Sequence, residues 1–342
     1  MKLIPLIFAF VLYLSQIKGQ ASASKPDNSL QPKLIQFTPA AFSHSFSLNN
    51  NPVLRIHSGD TVQTETIDAT GRDKNGDKRE RGGNPLTGPF YIEESKPGDV
   101  LQITLTKISL NRNYAYTSEA FVLRSVPDSI SRQFKNSHLV KWKLDMEKGV
   151  GSPDSSFAPY DHLKNFTVPL NPFLGCIGVA PSSKHNEILS FFQGEFGGNL
   201  DFSGIRQGAT VYLPVFHEGA YFYIGDGHAV QGDGEIAGNA LETSLDVEFT
   251  IKLIKSDISQ IEYPRVEDSL HIMALGSDKT LDKAVKIATS GLLEWLQNDY
   301  HVTAQEATQI MSTSIEYTIA EIADPNVVVV AKISKELLKK LR

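Results

Sequence analysis

Short runs of alternating apolar and polar residues dominate the chain from Val53 onward. Runs at 53–56 and 61–67 flank the turn Ser58-Gly59-Asp60, and runs at 90–92 and 100–105 flank Pro97-Gly98-Asp99. A period of two sends successive side chains to opposite faces, so these runs predict antiparallel strands with one wet face, joined by Gly-Asp turns. Dense strand and turn signals return over 170–255, with strands predicted at 177–180, 210–216, 220–224 and 245–254. In the last of these, Leu245, Val247, Phe249, Ile251 and Leu253 fall on one face. The period then changes. Leu281, Ala284, Val285, Ala288, Leu292, Trp295 and Leu296 follow helical spacing. Thr303 followed by Glu306 reads as a capping box opening a second helix, with Ala307, Ile310, Met311, Thr318, Ile319 and Ile322 as its apolar stripe. Asp324-Pro325 ends that helix, and 327–333 reads as a buried strand. The predicted fold class is mainly β, built of antiparallel sheets, with a C-terminal α/β segment containing two helices over 278–323.

Three stretches lie outside this pattern. Residues 24–50 are predicted to be a loose terminus, because their first part is polar and proline-containing. Residues 68–84 form a charged, glycine-rich loop, and 111–165, rich in Ser, Pro and Asn, read as an irregular excursion from the sheet. The predicted folded domain is 51–335. At the N-terminus, Lys2 precedes an apolar run over 3–14, and Ala21-Ser22-Ala23 supplies small residues at the positions a signal peptidase reads. The run is well short of the ~20 residues that span a bilayer. Residues 1–23 therefore read as a secretory signal, predicting an exported, periplasmic or secreted, protein with no membrane segment after cleavage.

Composition narrows the chemistry. A content of 41% hydrophobic and 21% charged residues excludes a disordered chain. A net charge of −6 argues against nucleic acid as a partner, since phosphate binding needs a basic surface. The single Cys176 excludes an intramolecular disulfide and a cysteine zinc cluster, so a metal must rest on His, Asp, Glu or carbonyl oxygen. With no basic neighbour to lower its pKa, Cys176 reads as a small buried hydrophobe rather than a nucleophile. No P-loop, GxSxG elbow or HExxH is present.

One region carries the candidate chemistry: Phe196-Gly197-Gly198-Asn199-Leu200-Asp201, and the run from Gly225 to Glu235, GDGHAVQGDGE. Glycines let a backbone take positive φ and let a ligand approach. Asp226 and His228 are two apart and share a face at a strand end, and Asn199 and Asp201 have the same relation. If the two strands are neighbours, these side chains converge. A divalent ion explains such a set: imidazole plus carboxylates suits zinc with an open position, oxygen alone suits calcium. A carboxylate that is not a ligand then moves the proton; Glu235 is the first candidate and Glu242 the second. Solvated carboxylates in a Gly-Asp turn series are the competing reading. Asp68, at a strand end, is either a ligand or a turn cap. Gln231 either hydrogen-bonds an amide substrate or lies on the surface. The remaining histidines show no ligand spacing.

These residues resemble the acetamidase/formamidase family. The resemblance runs from His57-Ser58-Gly59-Asp60-Thr61-Val62 through Asn84-Pro85-Leu86-Thr87-Gly88-Pro89, GCIGVAP at 175–181, GGNLD at 197–201, LPV at 213–215, the run 225–235 and Ala240-Leu241-Glu242. It implies a β-sandwich-like fold and an amidase that hydrolyses short linear amides, of formamide or acetamide type, to carboxylate and ammonia. It also implies a homo-oligomer, taken as a dimer. Carried onto this sequence, it suggests Asp68, Asp201 and His228 as metal ligands, Glu235 as acid/base, and Asn199 and Gln231 as substrate-orienting residues. The chain departs from the family in its export signal, in 111–165, and at Phe196 and Phe216-His217-Glu218. The alternative from another class is a catalytically silent β-sandwich that binds a metal or ligand.

Overall fold

The computed structural model describes residues 31–341 apart from 135–137, 157–159, 183–186 and 258–259. The predicted signal at 1–23 lies outside the described residues.

Two large sheets make the body. The first has nine strands in the order Leu34–Gln36, Thr61–Glu65, Leu245–Ile254, Val100–Leu110, Thr210–Pro214, Arg265–Glu267, His271–Asp278, Val327–Ser334 and Glu316–Glu321. The second has eleven. Its centre runs Tyr114–Ser118, Glu242–Thr243, Phe222–His228, Phe173–Gly178 and Gly197–Asn199, with Leu86–Ile92 also paired to Phe222–His228. Among the described residues, pairing is antiparallel apart from two short parallel contacts, at Leu34–Gln36 and at Leu54–Ile56, and an isolated parallel bridge between Gly234 and Glu321. The sheets stack face to face: Ile103, Leu105, Val211 and Phe249 of the first share one core with Phe90, Leu174, Phe222 and Ile224 of the second. The Phe249 ring meets those of Phe90 and Phe222 edge-on, with centroids 5.4 Å apart in each pair. Edge-to-face packing favours such rings through their quadrupoles. The strand Leu245–Ile254 alternates as its sequence predicts, with Leu245, Val247, Phe249 and Ile251 buried. Phe222–His228 is instead buried along its whole length. One of its faces meets the core and the other is covered, and that covering creates the interior in which the site lies.

The C-terminal part covers the first sheet. Helix Leu281–Tyr300 packs Ala284, Ala288, Leu292 and Leu296 onto Ile272, Ala274, Val329 and Ala331. Gly276 permits this close approach: a Cβ there would lie 2.1 Å from the carbonyl oxygen of Ala284. The capping box at Thr303 and Glu306 opens Ala304–Ser314. Among the described residues, no helix is long and apolar enough to cross a membrane.

Three sequence expectations change. The second helix stops at Ser314, and Thr318 and Ile319 lie in the strand Glu316–Glu321, paired to Val327–Ser334. Thr318, Ile319 and Ile322 of the predicted stripe are β-branched, and tertiary pairing decides such residues in favour of a strand. The terminus predicted to be loose is ordered from residue 34: Leu34–Gln36 pairs with Thr61–Gln63, and Phe46 is fully buried. Isolated apolar residues are enough where an existing sheet edge supplies the backbone partners. The excursion at 111–165 continues the second sheet through Tyr114–Ser118, Leu139–Asp145 and Val150–Pro153. The two-residue spacing of Val140, Trp142 and Leu144 carries that strand.

Candidate active site

Register assembles the site. On the central strand of the second sheet, His228 pairs with Phe173 on one side and Glu242 on the other, while Cys176 pairs with Asn199. Three carboxylates hold left-handed backbone conformations: Asp226 at φ 54° inside the strand Phe222–His228, and Asp201 at φ 42° and Glu235 at φ 47° outside the strands. Each is a strained state for a non-glycine residue, and such states persist where the surroundings over-determine them. These conformations aim the side chains at one point. The Nε2 atom of His228 lies 3.4 Å from Glu242 Oε1, 3.5 Å from Asp226 Oδ2 and 3.9 Å from Asp201 Oδ1. Ligating atoms of Asp201, His228 and Glu235 lie within 4.8 Å of one another, as do those of Asp226, His228 and Glu242.

Gly175 forms the floor. A Cβ there would fall 2.5 Å from Asp201 Oδ1, 2.7 Å from Asp226 Oδ2 and 2.9 Å from His228 Cε1. The carboxylates and imidazole therefore surround a space that only glycine leaves open.

The electrostatics are unbalanced. Asp201, Asp226, Glu242 and His228 are each at most 3% exposed, and Glu235 is 8% exposed. Burial drives the Asp201 carboxyl well above the usual range, and the charges of Glu235 and Asp226 add to this. Glu235 is pushed well up by burial, with Glu242 and Glu321 adding, and Glu242 rises for the same kind of reason. Burial alone would lower His228, but the charges of Glu242 and Asp226 outweigh it and hold the ring well above its ordinary value. A buried set of like charges must take up protons or a cation. The donor chemistry fits a cation: Asp201 Oδ1, Asp226 Oδ1, Glu242 Oε2 and both ring nitrogens of His228 are buried without a hydrogen-bond partner. Imidazole with carboxylates suits a first-row ion such as zinc.

The acetamidase/formamidase family model matches residues 46–190 and 192–340. The chain belongs to the acetamidase/formamidase family. It is similar to an acetamidase of Yersinia enterocolitica, with a TM-score of 0.76 and 28% identity over 90% of this chain and 94% of that one. It is also similar to an acetamidase of Bacillus halodurans, with a TM-score of 0.75 and 26% identity over 90% of this chain and 99% of that one. A Schizosaccharomyces pombe protein, named provisionally as a formamidase, is 27% identical over 60% of this chain and 62% of its own length. The chain thus spans less than two thirds of that curated relative.

Within this family member, the structure gathers Asp201, Asp226, His228, Glu235 and Glu242. Asn199 is placed differently from its expected substrate role. Its Nδ2 donates to Asp201 Oδ2 at 2.6 Å and to Asp324 Oδ2 at 2.8 Å. Its Oδ1 accepts from Cys176 Sγ at 2.7 Å and from Asn84 Nδ2 at 3.3 Å. Both amide hydrogens are spent on carboxylates, so Asn199 holds the site together. Gln231 donates to the carbonyls of Asp201 at 2.8 Å and Ala320 at 3.0 Å, while its Oε1 is buried without a hydrogen-bond partner. Cys176 is fully buried and its pKa is raised well above the ordinary thiol value, chiefly by burial. It stays a protonated donor to Asn199. Asn84, Asp324 and Gly175 are the residues that sequence reasoning left without a role.

Asp68 joins neither His-carboxylate group among the described residues. It accepts from Arg72 N at 2.9 Å and Thr70 Oγ1 at 2.7 Å, which closes a turn, and pairs with Arg112 Nη2 at 2.7 Å. Arg112 in turn donates to the Glu242 carbonyl at 3.2 Å. The turn-cap alternative therefore describes Asp68, and its ion pair braces the site from behind. Asp68→Asn leaves a buried guanidinium without its counter-charge, so unfolding in urea should show a loss of about 3 kcal/mol. Zinc affinity of the folded variant should change by less than about 3-fold, whereas loss of a ligand or of its outer-shell support costs about 10-fold or more.

Proposed function

We propose that the chain is an exported, metal-dependent amidase that hydrolyses short linear amides, of formamide or acetamide type, to carboxylate and ammonia. The observation that carries this reading is the buried imidazole and its four carboxylates around the space left by Gly175. Family membership supports amide hydrolysis, and the relatives named acetamidase and formamidase support the substrate class. Asp201, Asp226, His228 and Glu242 are the residues that would hold a divalent ion, with zinc favoured by the imidazole and calcium the second choice. Such an ion supplies a Lewis acid for the substrate carbonyl when bound.

The chain's own residues do the rest. The near-complete burial of the set excludes bulk water and limits the substrate to a small amide. Glu235 is the most exposed of the set, and burial with its acidic neighbours raises its affinity for a proton. As the carboxylate it takes a proton from water, and the raised affinity holds that proton until it passes to the departing nitrogen. Export rests on the basic-apolar-small pattern of residues 1–23. Assembly as a dimer rests on the family resemblance, and size-exclusion chromatography of the mature chain tests it.

Ammonia release from a panel of amides, with and without a chelator, tests the reaction. Turnover should fall by at least about 100-fold on chelation and on Asp201→Asn. Turnover that survives both overturns the metal dependence. Metal-dependent stabilisation without turnover on any amide favours the silent binding protein.

A further inference from the structure

We infer that Asp324, clamped by Arg124, is a positioning residue that fixes the Asn199 amide so that Asp201 keeps one oxygen free for the cation. The inference rests on the metal-site reading above.

The argument follows one chain of contacts. Asn199 is 3% exposed, so each of its amide hydrogens needs a partner. One hydrogen goes to Asp201 Oδ2 at 2.6 Å and the other to Asp324 Oδ2 at 2.8 Å. The planar amide fixes the angle between the two, so Asp324 sets where Asn199 points its hydrogen toward Asp201. The reversed amide would turn its oxygen toward both carboxylates and its hydrogens toward the donors Asn84 and Cys176, which excludes it. With Oδ2 tied in this way, Asp201 is left with Oδ1, which is buried without a hydrogen-bond partner and lies 3.9 Å from His228 Nε2. A ligating carboxylate held through its second oxygen is what an outer-shell residue provides to a metal site.

Asp324 is itself held from outside. It sits on the turn between Glu316–Glu321 and Val327–Ser334. The Arg124 guanidinium donates to three carbonyls of that turn: Ile322 at 3.4 Å, Pro325 at 2.8 Å, and Asp324. Arg124 belongs to the 111–165 stretch, which lies within the part of the chain that the family model matches. On the same turn, Asn326 Nδ2 donates to the Gln193 carbonyl at 2.9 Å, and the Asn326 carbonyl accepts from Gln193 Nε2 at 3.1 Å. Arg124 is exposed, so its removal should loosen the turn without opening the core.

Zinc affinity, measured by competition with a chromophoric chelator on folded full-length protein, tests this without reference to turnover. Asp324→Ala should weaken zinc binding about 10-fold. Asp324→Asn keeps an acceptor oxygen of the same shape and should restore affinity to within about 3-fold of wild type. Arg124→Gln should fall between the two, and it supplies the test if Asp324→Ala fails to fold. Equal weakening by Asp324→Ala and Asp324→Asn makes the charge of Asp324 the operative feature and overturns positioning. Wild-type affinity in Asp324→Ala, or in Arg124→Gln where that is the variant in hand, overturns it as well. Wild-type protein that takes up no zinc overturns the metal-site reading and this inference with it, while wild-type binding with unchanged variants overturns this inference alone.

Discussion

Gly175→Ala should abolish zinc binding while leaving the fold standing. The added carbon would lie 2.5 Å from Asp201 Oδ1, 2.7 Å from Asp226 Oδ2 and 2.9 Å from His228 Cε1. Contacts that short do not occur, so the three side chains must move apart. All three belong to the site, and none of the nearest atoms is backbone. The displacement is therefore paid in ligand geometry, which must hold to within about 0.5 Å for a metal centre to work. Affinity for zinc should drop by at least about 100-fold, and amide turnover with it, by calorimetric titration and ammonia assay. The melting temperature of the stripped variant should stay within a few degrees of the stripped parent, because the core around the strand Phe173–Gly178 is unchanged. A Gly175→Ala protein that binds zinc at parental affinity would show that the ion, if any, sits elsewhere.

The second large effect concerns pH. Burial and the neighbouring Asp324 charge raise Glu321 to about 8, and burial with the charge of Asp226 raises Asp324 to about 7. Asp201, Glu235 and Glu242 are also shifted upward, and His228 is raised in the same sense. A raised folded-state pKa means that the folded chain binds protons where the unfolded chain has released them. The carboxyl contribution to stability is therefore fully present below the unfolded carboxyl range near 4, and is lost as pH rises through the folded values. His228 acts in the same direction above its unfolded value near 6.5. The stripped protein should thus lose melting temperature steadily from pH 5 to pH 8. A divalent ion replaces those protons, and its affinity grows as they leave. The melting-temperature gap between zinc-loaded and stripped protein should widen by about 4 °C or more over that range. This corresponds to about 3 kcal/mol for a chain of this size. A gap that is constant with pH would mean that the carboxylates and the ion do not share a site.

How much of this was written in the sequence depends on distance along the chain. Period-two alternation in Leu245–Ile254 and the Thr303–Glu306 capping box are local signals, and both appear where they were expected. The glycine-rich runs around Asp201 and His228 also announce themselves, because a backbone that must turn at positive φ next to acids leaves a compositional trace. Asp324 leaves none. It meets Asn199 across 125 residues, and Asn84 meets Asp226 across 142, so no window contains both partners. Asp68 illustrates the reverse case: its residue type and strand-end position suit a ligand equally well, and only the guanidinium of Arg112, distant in sequence, decides between the readings. The strand Glu316–Glu321 was hidden because its β-branched residues repeat at a spacing that a helix shares.

The pairing of Gly234 with Glu321 makes the strand Glu316–Glu321 a neighbour of the turn that carries Glu235. Gly234 N donates to the Ala320 carbonyl at 3.2 Å and Ile322 N to the Gly234 carbonyl at 3.0 Å, so the position of Glu235 depends on that strand staying docked.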